Sequence, residues 1–154
     1  MCVIRREGSI YIDQCSYLET VIEHFGMTNA KYARTPLPHG YMPTPNEGEV
    51  DPQLRTQFQQ IIGSLLYIML GTRPDIAFAV TKLAQFVANP SKEHLDKAKY
   101  ILCYLAGTAK YALVYKGASN KGLIAFTDSD YTADPVKHRS TTGYLLKIAN
   151  QLAV

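Results

Sequence analysis

The chain has 154 residues, 47% hydrophobic and 19% charged, with a formal net charge of +3. That length suits one ordinary domain or two small pieces of larger ones, and the apolar share excludes an intrinsically disordered chain. The longest apolar run, residues 61–70, falls well short of the roughly 20 residues that cross a bilayer, and MCVIRREGS lacks the apolar core of a signal peptide.

Three cysteines, Cys2, Cys15 and Cys103, are odd in number and lack metal-ligand spacing, so they read as reduced thiols of an intracellular protein. The charge is uneven. Residues 1–50 carry net −2, residues 51–110 net +3 and residues 111–154 net +2. Any nucleic-acid surface is therefore sought in the middle and the end, with scatter over a solvated surface as the alternative.

In chain order, Cys2–Arg6 and Ser9–Ile12 flank the turn Glu7-Gly8 and predict a hairpin. A helix follows from about Cys15 to His24, with Leu18, Val21, Ile22 and Phe25 at helical spacing and Gly26 as its stop. Residues 34–50 are proline-rich and predict a loop or linker, the best boundary between domains. Asp51-Pro52 is an N-cap followed by proline at the first helical position. It opens a helix whose apolar face is Leu54, Phe58, Ile61, Leu65 and Ile68, ending at Gly71. A second helix starts near Pro74, turns Ile76, Val80, Leu83 and Val87 inward and stops at Asn89-Pro90. Ser91 caps a third, which buries Leu95, Ala98, Leu102 and Leu105 and stops at Gly107. Three such stripes can bury one another. The remainder is β-rich: Tyr111–Tyr115, Gly122–Thr127, Gly143–Ile148 and Leu152–Val154 read as strands. The last leaves an apolar edge open to aggregation.

Three features could carry chemistry. Asp128 and Asp130 lie two apart at the end of an apolar strand, so they share a face about 6–7 Å apart and are the oxygen ligands that magnesium prefers. One pair is not a site, since two-metal phosphoryl chemistry draws several carboxylates from different elements; a polar strand end entering a loop is the alternative. Lys137–Gly143 combines basic and hydroxyl groups that can bind phosphate, or is an ordinary loop. On the third helix Lys92, Lys99 and Cys103 fall along one stripe, with Lys97, Tyr100 and Tyr104 beside it. That face could line a nucleic-acid duplex, or be a solvated face whose tyrosines pack elsewhere. His24, His39, His94 and His138 are isolated and read as surface or cap histidines.

Several motifs in fixed order resemble one family: Ile61-Ile-Gly-Ser-Leu-Leu-Tyr67, Thr72-Arg-Pro-Asp-Ile76, Asn89-Pro-Ser-Lys-Glu-His94, Tyr100-Ile-Leu-Cys-Tyr-Leu-Ala-Gly-Thr108, Thr127-Asp-Ser-Asp-Tyr-Thr-Ala-Asp134 and Arg139-Ser-Thr-Thr-Gly-Tyr144. Together with Phe25-Gly-Met27 and Thr35-Pro-Leu37, they resemble the Pol polyprotein of copia-type LTR retrotransposons over essentially the whole chain. The resemblance implies that residues 1–40 are the end of a reverse-transcriptase palm-like region and 41–50 a Pro/Gly-rich linker. It makes 51–110 a helical thumb or connection-like region that grips a template–primer duplex, and 111–154 the first strands of a ribonuclease H-like domain. The expected fold class is α+β: an N-terminal hairpin plus helix, three helices, then an incomplete antiparallel sheet.

The resemblance also carries roles. Asp128 takes that of the first metal-binding carboxylate, with Asp130 a weaker candidate, and Mg²⁺ is the cofactor of the parent family. Lys92, Lys97, Lys99, Tyr100 and Arg139 are the candidates for contact with an RNA–DNA hybrid. The polymerase's Tyr-x-Asp-Asp turn and the later acidic residues of ribonuclease H are absent, and Tyr131 stands where the family usually has tryptophan. The expectation is a catalytically incomplete Pol fragment, with Met1 an internal methionine of a longer frame. It would hold no metal stably, retain at most weak hybrid or template–primer binding, and have the rest of the polyprotein as its other partner and no membrane contact. The parent family works in cytoplasmic virus-like particles or the nucleus. Two alternatives stand beside this: part of an active reverse transcriptase–ribonuclease H polyprotein, and a domesticated, non-enzymatic interaction module.

Overall fold

The computed structural model describes residues 1–117, 122–130, 141–149 and 151–152, an α+β chain. It divides into two compact units. One comprises Met1–Cys2 and Ile12–Ala112, and the other Val3–Tyr11 and Leu113–Val154.

The first unit is helical. Helix α1 spans Cys15–His24, and Gly26 follows it with φ +67°, the left-handed geometry that ends helices without a Cβ clash. Helix α2 runs Pro52–Gly71; the Asp51 side chain accepts from the Gln53 N–H at 2.9 Å, the cap that Asp-Pro predicts. A 3₁₀ turn, Pro74–Ile76, leads into α3, Ala77–Ala84. This helix is shorter than the apolar pattern suggests. Beyond Ala84 the bonds tighten to three-residue steps, Phe86 N to Leu83 O, Val87 N to Ala84 O and Asn89 N to Phe86 O. Apolar spacing survives that change, which is why the periodicity runs past the helix end. Helix α4 spans Lys92–Gly107. Phe58, Ile61, Leu65 and Ile68 of α2, Val80 and Leu83 of α3, and Ile101, Leu102 and Leu105 of α4 are completely buried. Leu18, Val21 and Ile22 of α1 close the same core.

The proline-rich segment lies inside this unit and packs against α4 in the opposite direction. A Cβ on Gly107 would lie 3.0 Å from Tyr32 Cβ, Ala33 N–H donates to Cys103 O at 3.4 Å, and the Tyr41 ring sits 4.8 Å from Lys97 Nζ. Asn46 Nδ2 donates to Pro90 O at 3.3 Å, and Asn89 Nδ2 donates to Asn46 O at 2.9 Å. Residues 32–46 thus run from the last turn of α4 to its cap, as a strap rather than a free linker.

The second unit is built of strands. β1 (Cys2–Arg6) and β2 (Ser9–Asp13) are joined by Glu7 and Gly8, both with positive φ, as a two-residue type I′ loop requires. β3 (Leu113–Lys116) completes that sheet in the order β1-β2-β3. A second sheet has the order β4-β5-β6, from Leu123–Asp130, Thr141–Ile148 and Gln151–Leu152. β4 and β5 are antiparallel, from Leu123 opposite Ile148 to Asp130 opposite Thr141. Opposite residues share a face, so Leu123, Ile148 and Tyr144 are on one side and Phe126 and Leu145 on the other. Leu123, Phe126, Tyr144 and Ile148 are all more than half exposed, so this sheet shows apolar groups on both faces.

Candidate functional site

Helix α4 carries most of the predicted contact residues, and its start is unusually well held. Ser91 Oγ accepts from His94 N–H at 3.2 Å, while His94 Nδ1 accepts from Ser91 N–H at 3.0 Å. This is a capping box with histidine in the place usually taken by Glu or Gln. His94 is 1% exposed and stacks on Phe86 with ring centroids 4.2 Å apart. Burial lowers its pKa, against a smaller upward pull from Glu93 and the Thr44 backbone. A histidine held neutral contributes stability that is complete above its unfolded pKa of about 6.5 and lost as pH falls toward the lowered folded value. Protonation would also turn Nδ1 from acceptor to donor and break the cap. His94→Gln keeps an acceptor at this position, so its urea midpoint should stay flat from pH 7 to about 5 where the parent's falls. Equal slopes would remove His94 as the titrating group.

The predicted basic face is partly occupied. Lys92 is exposed, whereas Lys97, Lys99 and Tyr100 are half-buried. Lys92 opens on a groove of about 730 Å³ between the first turns of α2 and α4, with Gln53, Gln57 and Gln60 on its α2 side. Lys97 lies under the Tyr41 ring. Among the described residues the Tyr41 hydroxyl has no hydrogen-bond partner although it is buried, and burial, then the charge of Glu93, pushes its pKa up to about 12. Glu93 and Asp96 are exposed among these lysines and dilute their field. Tyr104, expected beside the stripe, is instead buried. Arg139 lies outside the described residues, as do Tyr131 and Lys137.

Tyr104 belongs to a network that no spacing or charge pattern announces. Arg73, 3% exposed, grips Asp75 with two parallel bonds, Nε to Oδ1 at 2.9 Å and a terminal nitrogen to Oδ2 at 2.7 Å. The guanidinium also donates to Thr108 O at 3.1 Å and Thr108 Oγ1 at 2.7 Å, and Tyr104 OH donates to Asp75 Oδ2 at 2.8 Å. The Tyr104 and Tyr111 rings flank it, with centroids 5.5 and 5.3 Å from Cζ. Burial alone would raise the Asp75 carboxyl, but the Arg73 bonds and charge, then the Tyr104 bond, outweigh it and hold the pKa below its usual value. The network locks the α2–α3 turn to the end of α4. Its only signal in the sequence is that Thr72–Ile76 and Tyr100–Thr108 are both family motifs. Beside it, Thr72 Oγ1 donates to Gln14 Oε1 at 2.9 Å, and Gly71 leaves room for that amide, which a Cβ there would overlap.

Asp128 sits in β4 opposite Gly143, exposed, and Asp130 is the last residue of that strand, opposite Thr141. Among the described residues no three of His, Cys, Asp or Glu come together to hold a metal ion. Among the described residues Asp128 is not joined by the further carboxylates from other elements that a two-metal centre needs. Among the described residues, too, no helix is long and apolar enough to cross a membrane.

The chain is thus α+β, with a capped helix α4 and an antiparallel strand pair that bears Asp128. The chain is 39% identical over 94% of its length to the retrovirus-related Pol polyprotein from transposon TNT 1-94 of Nicotiana tabacum, covering 11% of that protein. It is 34% identical over 92% of its length to the corresponding polyprotein from transposon RE1 of Arabidopsis thaliana, covering 10% of it. An uncharacterized mitochondrial protein of the same plant is 33% identical over 89% of the chain, which covers 56% of that protein. The chain belongs to the retrotransposon Pol polyprotein family. It spans about a tenth of the length of the polyproteins it matches. No family model matches the chain, and no solved structure matches it.

Proposed function

We propose that the chain is a copia-type Pol segment whose helical unit grips an RNA–DNA hybrid or template–primer duplex weakly, without cleaving it. The observation that carries the reading is α4: a rigidly capped helix with Lys92 and Lys99 on one stripe, in a chain similar to Pol polyproteins along almost its whole length. Lysines neutralise phosphates and release counterions, and the groove beside Lys92 offers amide side chains to a sugar–phosphate backbone. Lys97, Tyr100 and Arg139 are the further contacts of this reading. Asp128, with Asp130 behind it, is the ribonuclease H-like carboxylate, and Mg²⁺ is the ion that the parent family uses there. In a full polyprotein the same residues would serve an active polymerase and nuclease; the small share of the relatives that the chain covers supports that second reading.

The test is hybrid binding by the purified chain at low and moderate salt, with double-stranded DNA as comparison and magnesium present. Binding that weakens with salt, with no cleavage on a gel, is the expected result. Replacing Lys92, Lys97, Lys99 and Arg139 by Ala should flatten the log–log salt dependence, by about 0.9 for each phosphate left without its cation. An unchanged slope would dismiss this surface, and cleavage that Asp128→Asn abolishes would overturn the non-catalytic reading.

A further inference from the structure

The strap and α4 together carry more than a packing contact. Residues 32–46 have no helix or strand of their own and lie along the helix that the binding reading needs open. Tyr41 places its ring 4.8 Å from Lys97 Nζ, so the ammonium faces a π-cloud where a phosphate would have to sit. The cover is imperfect. The Tyr41 hydroxyl is buried with no partner among the described residues, an arrangement that native structures rarely tolerate without a reason. The strap is hydrogen-bonded at its ends, by Ala33 to Cys103 and by Asn46 to Asn89 and Pro90, while Leu37 and Tyr41 pack against the core between them. Near its middle the backbone bond of Tyr41 goes to its own turn, N–H to Pro38 O at 3.2 Å, and not to α4. A charge-assisted bond from lysine to phosphate is stronger than a partly exposed cation–π contact.

We infer that residues 32–46 are a self-shielding strap, which keeps Lys97 and the middle of α4 from a nucleic-acid backbone until the duplex displaces Tyr41. The inference rests on the binding reading above. In the closed state only the Lys92 end of α4 is fully offered to phosphates. Displacing the strap frees Lys97 and lets the Tyr41 hydroxyl reach water.

Three variants of the full chain test this, each first shown by circular dichroism to keep its helices. Tyr41→Ala removes the cover; it should bind hybrid several-fold more tightly at low salt, with an unchanged log–log slope, because Lys97 neutralises a phosphate in the bound state of both proteins. Asn46→Ala loosens one end and should move the same way by less. Tyr41→Phe keeps the ring and removes the unpaired hydroxyl, so it should favour the closed state and bind several-fold more weakly. Opposite signs for Ala and Phe support the strap. If Tyr41→Ala and Asn46→Ala both match the parent in affinity, the strap is only structural while the binding reading stands. Weaker binding by Tyr41→Ala would make Tyr41 a direct contact and also overturn the strap. No hybrid binding by any variant at low salt would sink the binding reading, and the strap's role with it.

Discussion

Replacing Asp75 by Ala is expected to cost the helical unit about 2–3 kcal/mol and to leave it with the pH response of a different protein. The change strips Arg73 of a two-pronged carboxylate partner while the guanidinium stays 3% exposed. Breaking a fully buried pair costs roughly 3–5 kcal/mol, because one charge is left uncompensated. The figure is discounted here because the Asp75 side chain is 36% exposed, and because Thr108 and the two tyrosine rings still hold Arg73. The sign of the pH effect follows from the lowered Asp75 pKa. Its contribution is complete above the unfolded value of about 3.9 and lost as pH falls through the lower folded value. Urea titrations from pH 7 to 3 should show the parent losing midpoint below about pH 4 more steeply than Asp75→Ala. Equal acid slopes would show that Arg73 does not depend on that carboxylate.

Phe58→Ala should be costlier, about 3–5 kcal/mol, the range for large aromatic truncations in packed cores. Phe58 is completely buried on α2, and its ring centroid lies 6.3 Å from that of His94. Truncation would open a cavity under the first turn of α4 and let water reach the imidazole. Two readouts separate this from a plain loss of packing. The urea midpoint should fall, and the fall in midpoint between pH 7 and about 5 should shrink as His94 is rehydrated toward its ordinary pKa near 6.5. A full-sized pH response with a lower midpoint would confine Phe58 to packing alone.

The helices are legible in the sequence because each carries its own punctuation. Asp51-Pro52 marks one start, Ser91 another, and Gly71 and Gly107 the ends. The hairpin is legible because Glu7-Gly8 can take the two positive φ values its turn needs. The strap is legible only as a loop, because its prolines say no more than what the backbone cannot do. What it rests against depends on Tyr32, Tyr41 and Asn46 meeting residues more than forty positions away, and no local pattern encodes that. The buried Arg73 is hidden for a related reason. Composition counts a guanidinium as surface charge, and only the meeting of Asp75, Tyr104 and Thr108 makes its burial tolerable. The candidate site is legible as a set of lysines on one helix, but not as a face with a cover, and Tyr104 belongs to the interior.

The chain order of the first sheet also bears on how the molecule is made. β3 begins at Leu113, whereas its sheet partners β1 and β2 end by Asp13. During synthesis the hairpin and all four helices leave the ribosome before the third strand exists. Until then the β2 edge offers unpaired amides and carbonyls to any passing strand. Closing a loop of about a hundred residues is slow compared with forming a helix. A nascent chain halted near residue 110 would thus have a complete helical core and an open sheet edge, the state in which a holdase would find it.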